Sequence, residues 1–393
     1  MLVHNARMRP QLCEPRISSP APSADAGSMS SSAKQQTVHL SDPAEFVAAV
    51  PHLLGFYPEE SLIVTTLHGA PGATRLGFTA RVDLPAEGRR AELATELVRG
   101  PIARDEPTGV LLAVVGGLLS GGGERAVPPS GEPASADGGA PAPPHSELIG
   151  FFHDALYEAD LSLTQALWTP EISKGSPWYC YTDGRSGRTP DPKASPLAAA
   201  LALSGTVTFP SRAELAESVA PESAETQDRW SARLNLLQDD AEPHRGAADM
   251  CSADVETVFA AIRRTAREEA LTEEDLLRVL VALSDYRVRD LAMGSALSTE
   301  ARAAEQLWLT LVRKAPEPEV ADAAVLLAFS AYLRGDGALA GVALERVERT
   351  RPAHRLGELL RRALDTGIGP SALSVIVRDT VADAQAMIEQ EEC

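Results

Sequence analysis

The apolar residues of this 393-residue chain change their spacing once, near residue 205. Before that point, runs with strand character alternate with runs at helical spacing. After about residue 211 only the 3.6-residue spacing remains. A strand buries alternate side chains and a helix every third or fourth, so spacing dictates which element a run can form. The first part therefore reads as an α/β domain with a mixed sheet, and the second as an all-helical body.

The first ordered signal is "TVHL", a short strand. "SDPAEFVAAVPHLLGF" follows, with Asp42 as N-cap, Pro43 at the first helical position and Glu45 at the third. Phe46, Val50, Leu53 and Leu54 share one face of that helix. Pro51 lacks an N–H, so the helix is expected to end or tighten there, with Gly55 closing it in the left-handed conformation. "SLIVTTLHG" then reads as a buried strand and "RLGFTARVDL" as its hairpin partner. "GRRAELATELVRG" is an amphipathic helix closed by Gly100, "TGVLLAVVG" a core strand, and "HSELIGFFHDALYEAD" a helix. Strands follow near "LTQALWT" and "PWYCYT".

In the second part, "DRWSARLNLLQ", "DVETVFAAIRRTAREEA" and "TEEDLLRVLVALSDYRVRDLAM" are helical, with Thr272 and Asp275 forming a capping signature. Ala304, Trp308, Leu311 and Pro316 recur 36 residues later as Ala340, Leu344, Val347 and Pro352. A small residue, two apolar residues and a terminating proline follow the logic of tetratricopeptide-type helix pairs. "RGDGALAG" makes the tight turn inside the second pair. The expected organisation is a disordered tail over 1–36, an α/β domain over 37–205, a helical linker region over 206–249 and a helical domain over 250–393. Residues 120–144 hold 12 Gly or Pro in 25 positions and read as a flexible insertion. Met29, in "MSSSAKQQTVHL", reads as an alternative translation start.

Both parts are acidic, −7 before residue 205 and −12 after it, within a total of −19. Such a surface repels a phosphate backbone, so nucleic-acid binding is not expected. Cys13, Cys180, Cys251 and Cys393 are far apart in sequence and lack zinc spacing, which points to reduced, isolated thiols in a cytoplasm and to no metal or cofactor. The longest apolar run, "GVLLAVVGGLL", is too short to span a bilayer.

Taken together, "PHLLGFYPEESLIV", "RVDLP", "WYCYT" and "LLAFSAYLRGDGALAGVALERV…RPAHRLGELLRRALDTGIGP" resemble the actinobacterial DUF4192 family over roughly residues 38–375. The resemblance implies an architecture and a bacterial cytoplasm, and no reaction. Family members carry a Cys-Cys-Pro-Pro-like run after the Trp/Tyr strand. Here that place reads "TDGRSGRTPDP", so a metal or redox role resting on those cysteines is not expected.

Six residues are candidates for ligand binding. His52 sits at a turn, as a base or as a cap for backbone groups. Ser61 opens a strand without a nucleophile-elbow pattern around it. Arg81 and Asp83 alternate on one strand and share a face, where they either bind a polar or anionic ligand or pair with each other. Trp178 and Tyr181 belong to an aromatic cluster in which Trp178 faces opposite to Tyr179. No complete catalytic motif is present. The expectation is a non-enzymatic protein-interaction or regulatory module that binds a protein partner through its helical domain. The alternative is a small-molecule sensor or enzyme with a site near His52, Ser61, Arg81 and Asp83.

Overall fold

The computed structural model describes residues 42–69, 74–117, 143–203, 206–241 and 248–391, with two short strands at Arg7–Met8 and His39–Leu40. The rest of the expected tail and residues 120–142 of the Gly/Pro insertion lie outside the described residues, as does Met29. The strands are β1 (Arg7–Met8), β2 (His39–Leu40), β3 (Ser61–His68), β4 (Thr74–Asp83), β5 (Gly109–Val115), β6 (Leu163–Thr169), β7 (Pro177–Cys180) and β8 (Ser186–Arg188). They form one sheet in the order β2-β1-β4-β3-β5-β6-β7-β8. β5 and β6 run parallel, as do β1 and β2, and every other neighbour is antiparallel. The sheet is mixed, as the alternating first part requires.

β5 is buried along its whole length, which explains why its sequence is a continuous apolar run rather than an alternating one. Its two sets of side chains serve two cores. Val110, Leu112 and Val114 join Leu62, Val64 and Trp168 beneath α2 (Arg90–Leu97) and α3 (Ser146–Glu158). Leu111, Ala113 and Val115 face the other way with Ile63, Leu67 and Leu167, against α1 (Pro43–Leu54) and the helical part of the chain. Burying one such side chain contributes about 1.5–3 kcal/mol. The molecule is thus layered: helix pair, sheet, and a thick helical layer.

α1 starts as its sequence dictates. The Asp42 carboxylate accepts the Glu45 N–H at 2.9 Å, and Gly55 closes the helix at φ +80°. It does not end at Pro51, however. The helix runs on to Leu54, because only one intrahelical bond is lost while Leu53 and Leu54 are anchored in the core. Gly100 does interrupt the helix that α2 begins: its backbone is non-helical, at φ −95° and ψ −107°, and the chain kinks there before turning on to Ile102.

The remaining helices are α4 (Pro196–Leu203), α5 (Arg212–Ser218), α6 (Ala224–Ala241), α7 (Ala248–Ala266), α8 (Glu273–Ala282), α9 (Tyr286–Met293), α10 (Ala301–Lys314), α11 (Val320–Arg334), α12 (Gly337–Thr350), α13 (Arg355–Asp365) and α14 (Pro370–Glu391). Among the described residues no strand follows residue 250. Thr272 and Asp275 form a complete reciprocal capping box. α11 is the hub: every residue from Val320 to Tyr332 is buried. The repeated residues Ala304, Trp308, Leu311, Ala340, Leu344 and Val347 are all buried where α10 and α12 pack on it. Leu215, Trp230 and Leu234, from the stretch expected to be a linker, enter the same core cluster as the sheet face. One continuous core therefore joins the sheet to the helical layer.

Candidate functional site

The corner "PHLLGFYPEESLIV" is now explained. After Gly55 the chain bridges to a distant segment, with Phe209 N–H donating to the Gly55 carbonyl and Tyr57 N–H to the Phe209 carbonyl. Glu60, at φ +40°, then turns the chain into β3.

His52 lies at this corner, buried, and both ring nitrogens are engaged. Nε2 lies 2.8 Å from the Pro192 carbonyl, which only accepts, so Nε2 carries the proton. Nδ1 then accepts from the Thr208 hydroxyl at 2.8 Å. Burial lowers its pKa, with the Pro192 bond partly opposing, and the ring is neutral. His52 is a clasp between α1 and residues 192 and 208, with no free nitrogen for a ligand.

Ser61, Arg81 and Asp83 do come together, through the β3–β4 register that sets Ser61 opposite Asp83 and Ile63 opposite Arg81. Arg81 Nε donates to Ser61 Oγ at 2.8 Å, while its Nη2 pairs with Asp83. The Ser61 hydroxyl donates to the Glu59 carbonyl. With no histidine beside it, this serine has no base to activate it. Trp178 faces the same core as Cys180, whereas Tyr179 and Tyr181 face the other. Tyr181 donates to the Pro144 carbonyl, and burial raises its phenol above the ordinary value. The six candidates thus do not form one site: His52, the Ser61–Arg81–Asp83 set, Trp178 and Tyr181 occupy separate surroundings.

A roomy cleft lies elsewhere. It has a volume of about 760 Å³, within the usual range for ligand sites, and runs between residues 206–218 and helices α10, α11, α12 and α14. Its walls are apolar at Phe209, Leu215, Leu309, Leu333 and Leu339, with the buried Ser330 among them. Val207 and Leu297 leave 63% and 37% of their surface exposed at its rim. Arg334 spans one wall: Nε and Nη2 each reach Glu305 at 3.0 Å, and Nη2 also reaches Asp336 at 3.1 Å. Burial pulls this guanidinium pKa down, but the carboxylates of Asp336 and Glu305 more than offset that, so it stays charged. Asp336 also caps α12 by accepting the Leu339 N–H at 2.9 Å. Arg302 and Arg378 complete the cationic lining, and Arg378 is exposed with no ion-pair partner among the described residues. "LRGDGAL" was legible as a turn, and Gly335 takes φ +91° there. What its charges face was not legible, because Glu305 lies on another helix.

Among the described residues no group of three metal-ligating side chains exists, and no helix is long and apolar enough to cross a membrane. Cys180 and Cys251 are buried and take part in no disulfide among the described residues. A family model described as a domain of unknown function, DUF4192, matches residues 43–371. No curated protein and no solved structure matches the chain.

Proposed function

Because the chain belongs to the DUF4192 family, whose description assigns no activity, we propose from the site alone that it is a non-enzymatic cytoplasmic interaction module. Its 760 Å³ cleft takes in a short segment of a partner protein that carries apolar side chains beside an acidic one. The observation that carries this reading is the combination of an apolar-walled cleft with Arg302 and Arg378 in its lining, on a chain of net charge −19. Local cations on an acidic protein select a complementary charge and suppress wrong partners. The spacing shared by α10 and α12 supports reading these helices as tetratricopeptide-like pairs. Their residues Glu305, Leu309 and Leu339 form part of the binding wall.

The test places a photocrosslinking amino acid at Ser374, inside the cleft, and at Tyr157, 82% exposed on α3. In native lysate, position 374 should trap one polypeptide that position 157 does not. Its crosslinked peptide should carry an acid beside apolar residues, and trapping should fail in Arg378→Glu and in Leu297→Asp. Equal labelling at both positions, or labelling indifferent to both variants, sinks the reading.

A further inference from the structure

A second cleft, about 310 Å³, lies where β4 meets the helical layer. Three stretches already quoted for their likeness to a family meet on its lining: "RVDLP" through Arg81, "GDGALAGVALERV" through Gly341 and Glu345, and "LLRRALD" through Arg361 and Asp365. Arg212, from the first turn of α5, completes it. The three arginines thus come from a strand, a short helix and α13, brought together only by the packing of sheet on helices.

Each guanidinium is held from one side. Arg81 spends Nε on Ser61 and Nη2 on Asp83. Arg212 spends Nη2 on Glu345. Arg361 spends Nε on Glu348 at 2.6 Å and Nη2 on the Gly341 carbonyl at 3.3 Å. In all three the Nη1 amino group has no partner among the described residues. A guanidinium carries five N–H donors, two of them on Nη1, so this lining keeps a set of unspent cationic donors whose side chains are already fixed. Fixing them in advance removes much of the ordering cost of binding. The lining carries three arginines against two carboxylates, Glu345 and Asp365. Glu345 is committed to Arg212, whereas Asp365 is exposed, acts on the Tyr332 phenol only through its charge, and has no hydrogen-bond or ion-pair partner among the described residues.

We propose that this inter-layer cleft binds a small organic anion of the phosphate-ester class, which the Nη1 groups of Arg81, Arg212 and Arg361 grip while Asp365 accepts a hydroxyl or ammonium proton of the same ligand. The site is separate from the partner cleft and stands or falls independently of it. It also absorbs one of the expected readings of the Arg81–Asp83 pair, with the ion pair serving to hold Arg81 in place.

Isothermal titration of the full chain with glycerol 3-phosphate, inorganic phosphate and succinate tests it. Binding of glycerol 3-phosphate is expected below about 10 mM and tighter than that of succinate. Arg212→Gln and Arg361→Gln should each weaken it tenfold or more. Arg185→Gln, in the turn between β7 and β8 at the other end of the sheet from β4, should leave it unchanged. Asp365→Asn should tighten inorganic phosphate several-fold, because a like charge leaves the site, and should tighten glycerol 3-phosphate less, because its hydroxyl exchanges a carboxylate acceptor for a weaker amide oxygen. A merely structural Asp365 would move neither. The proposal is overturned if no probe binds, if binding survives both arginine variants, or if Asp365→Asn leaves both ligands unaffected.

Discussion

Replacing Asp322 by alanine should remove the most concentrated charge network in the helical layer. Asp322 sits in the first turn of α11, where the helix dipole favours a carboxylate, and is 6% exposed. Oδ1 accepts from His354 Nε2 at 3.0 Å and from Arg289 Nη1 at 3.2 Å, while Oδ2 accepts from Arg351 Nη1 at 2.8 Å. His354 Nδ1 in turn accepts the Gly357 N–H at 3.1 Å and so caps α13. One carboxylate therefore ties α11 to α9 and to the start of α13. Removing one partner of a buried pair costs about 3–5 kcal/mol, because the remaining charges stay buried and unpaired. Arg351 is 38% exposed at its side chain and recovers water, which places the expected loss near the lower figure, about 3 kcal/mol. At about 2 °C per kcal/mol for a large domain, the melting temperature should fall by roughly 6 °C.

The pH dependence is the sharper part of this expectation. Burial pushes the Asp322 carboxyl up, but the His354 hydrogen bond and the Arg351 and Arg289 charges more than offset it, so its pKa is lowered from 3.8. A lowered carboxyl pKa stabilises the fold above the unfolded value, and that contribution is lost as pH falls through the folded one. The gap between wild type and Asp322→Ala, read by urea unfolding at 222 nm, should thus be full above about pH 5 and shrink below about pH 4. An exposed control, Asp383→Ala, should stay within about 0.5 kcal/mol of wild type. A loss below about 1 kcal/mol, or a gap unchanged down to low pH, would refute the reasoning.

Trp308, fully buried between helices, should cost about 3–5 kcal/mol as Trp308→Ala, measured by denaturant midpoint. For His52, burial lowers the folded pKa from 6.5, so its stabilisation is present above about 6.5 and lost as pH falls. The drop in stability between about pH 7.5 and about pH 5.5 should accordingly be smaller in His52→Ala, and equal drops would contradict the neutral clasp. Gly117 has φ +91°, and a Cβ there would lie 2.1 Å from His145 Nε2, so Gly117→Ala should cost about 2 kcal/mol or more. Adding His145→Ala should restore part of that loss, since the clash is pairwise; strictly additive thermal shifts would remove this explanation.

Local rules were legible residue by residue. Asp42 and Thr272 cap helices because their side chains and backbone lie within a few residues of the groups they satisfy. The apolar run of β5 announced a core strand, and alternation put Trp178 and Tyr179 on opposite sides. Pro51 misled, because a helix survives one lost bond when its next turn is anchored by contacts that sequence does not display. The candidate residues were recognised for their chemistry, yet His52 is spent on Pro192 and Thr208, more than a hundred residues away.

The amino-acid sequence by itself determined the period of each element, its caps, the acidic surface and the change to all-helical structure after the sheet. Only the tertiary structure decided which charges meet: Arg334 with Glu305, Asp322 with Arg289 and Arg351, and three arginines around one cleft. The physical reason is range. Backbone hydrogen bonding and side-chain periodicity act over a few residues, whereas clefts and ion networks arise where elements distant in sequence pack on a shared core.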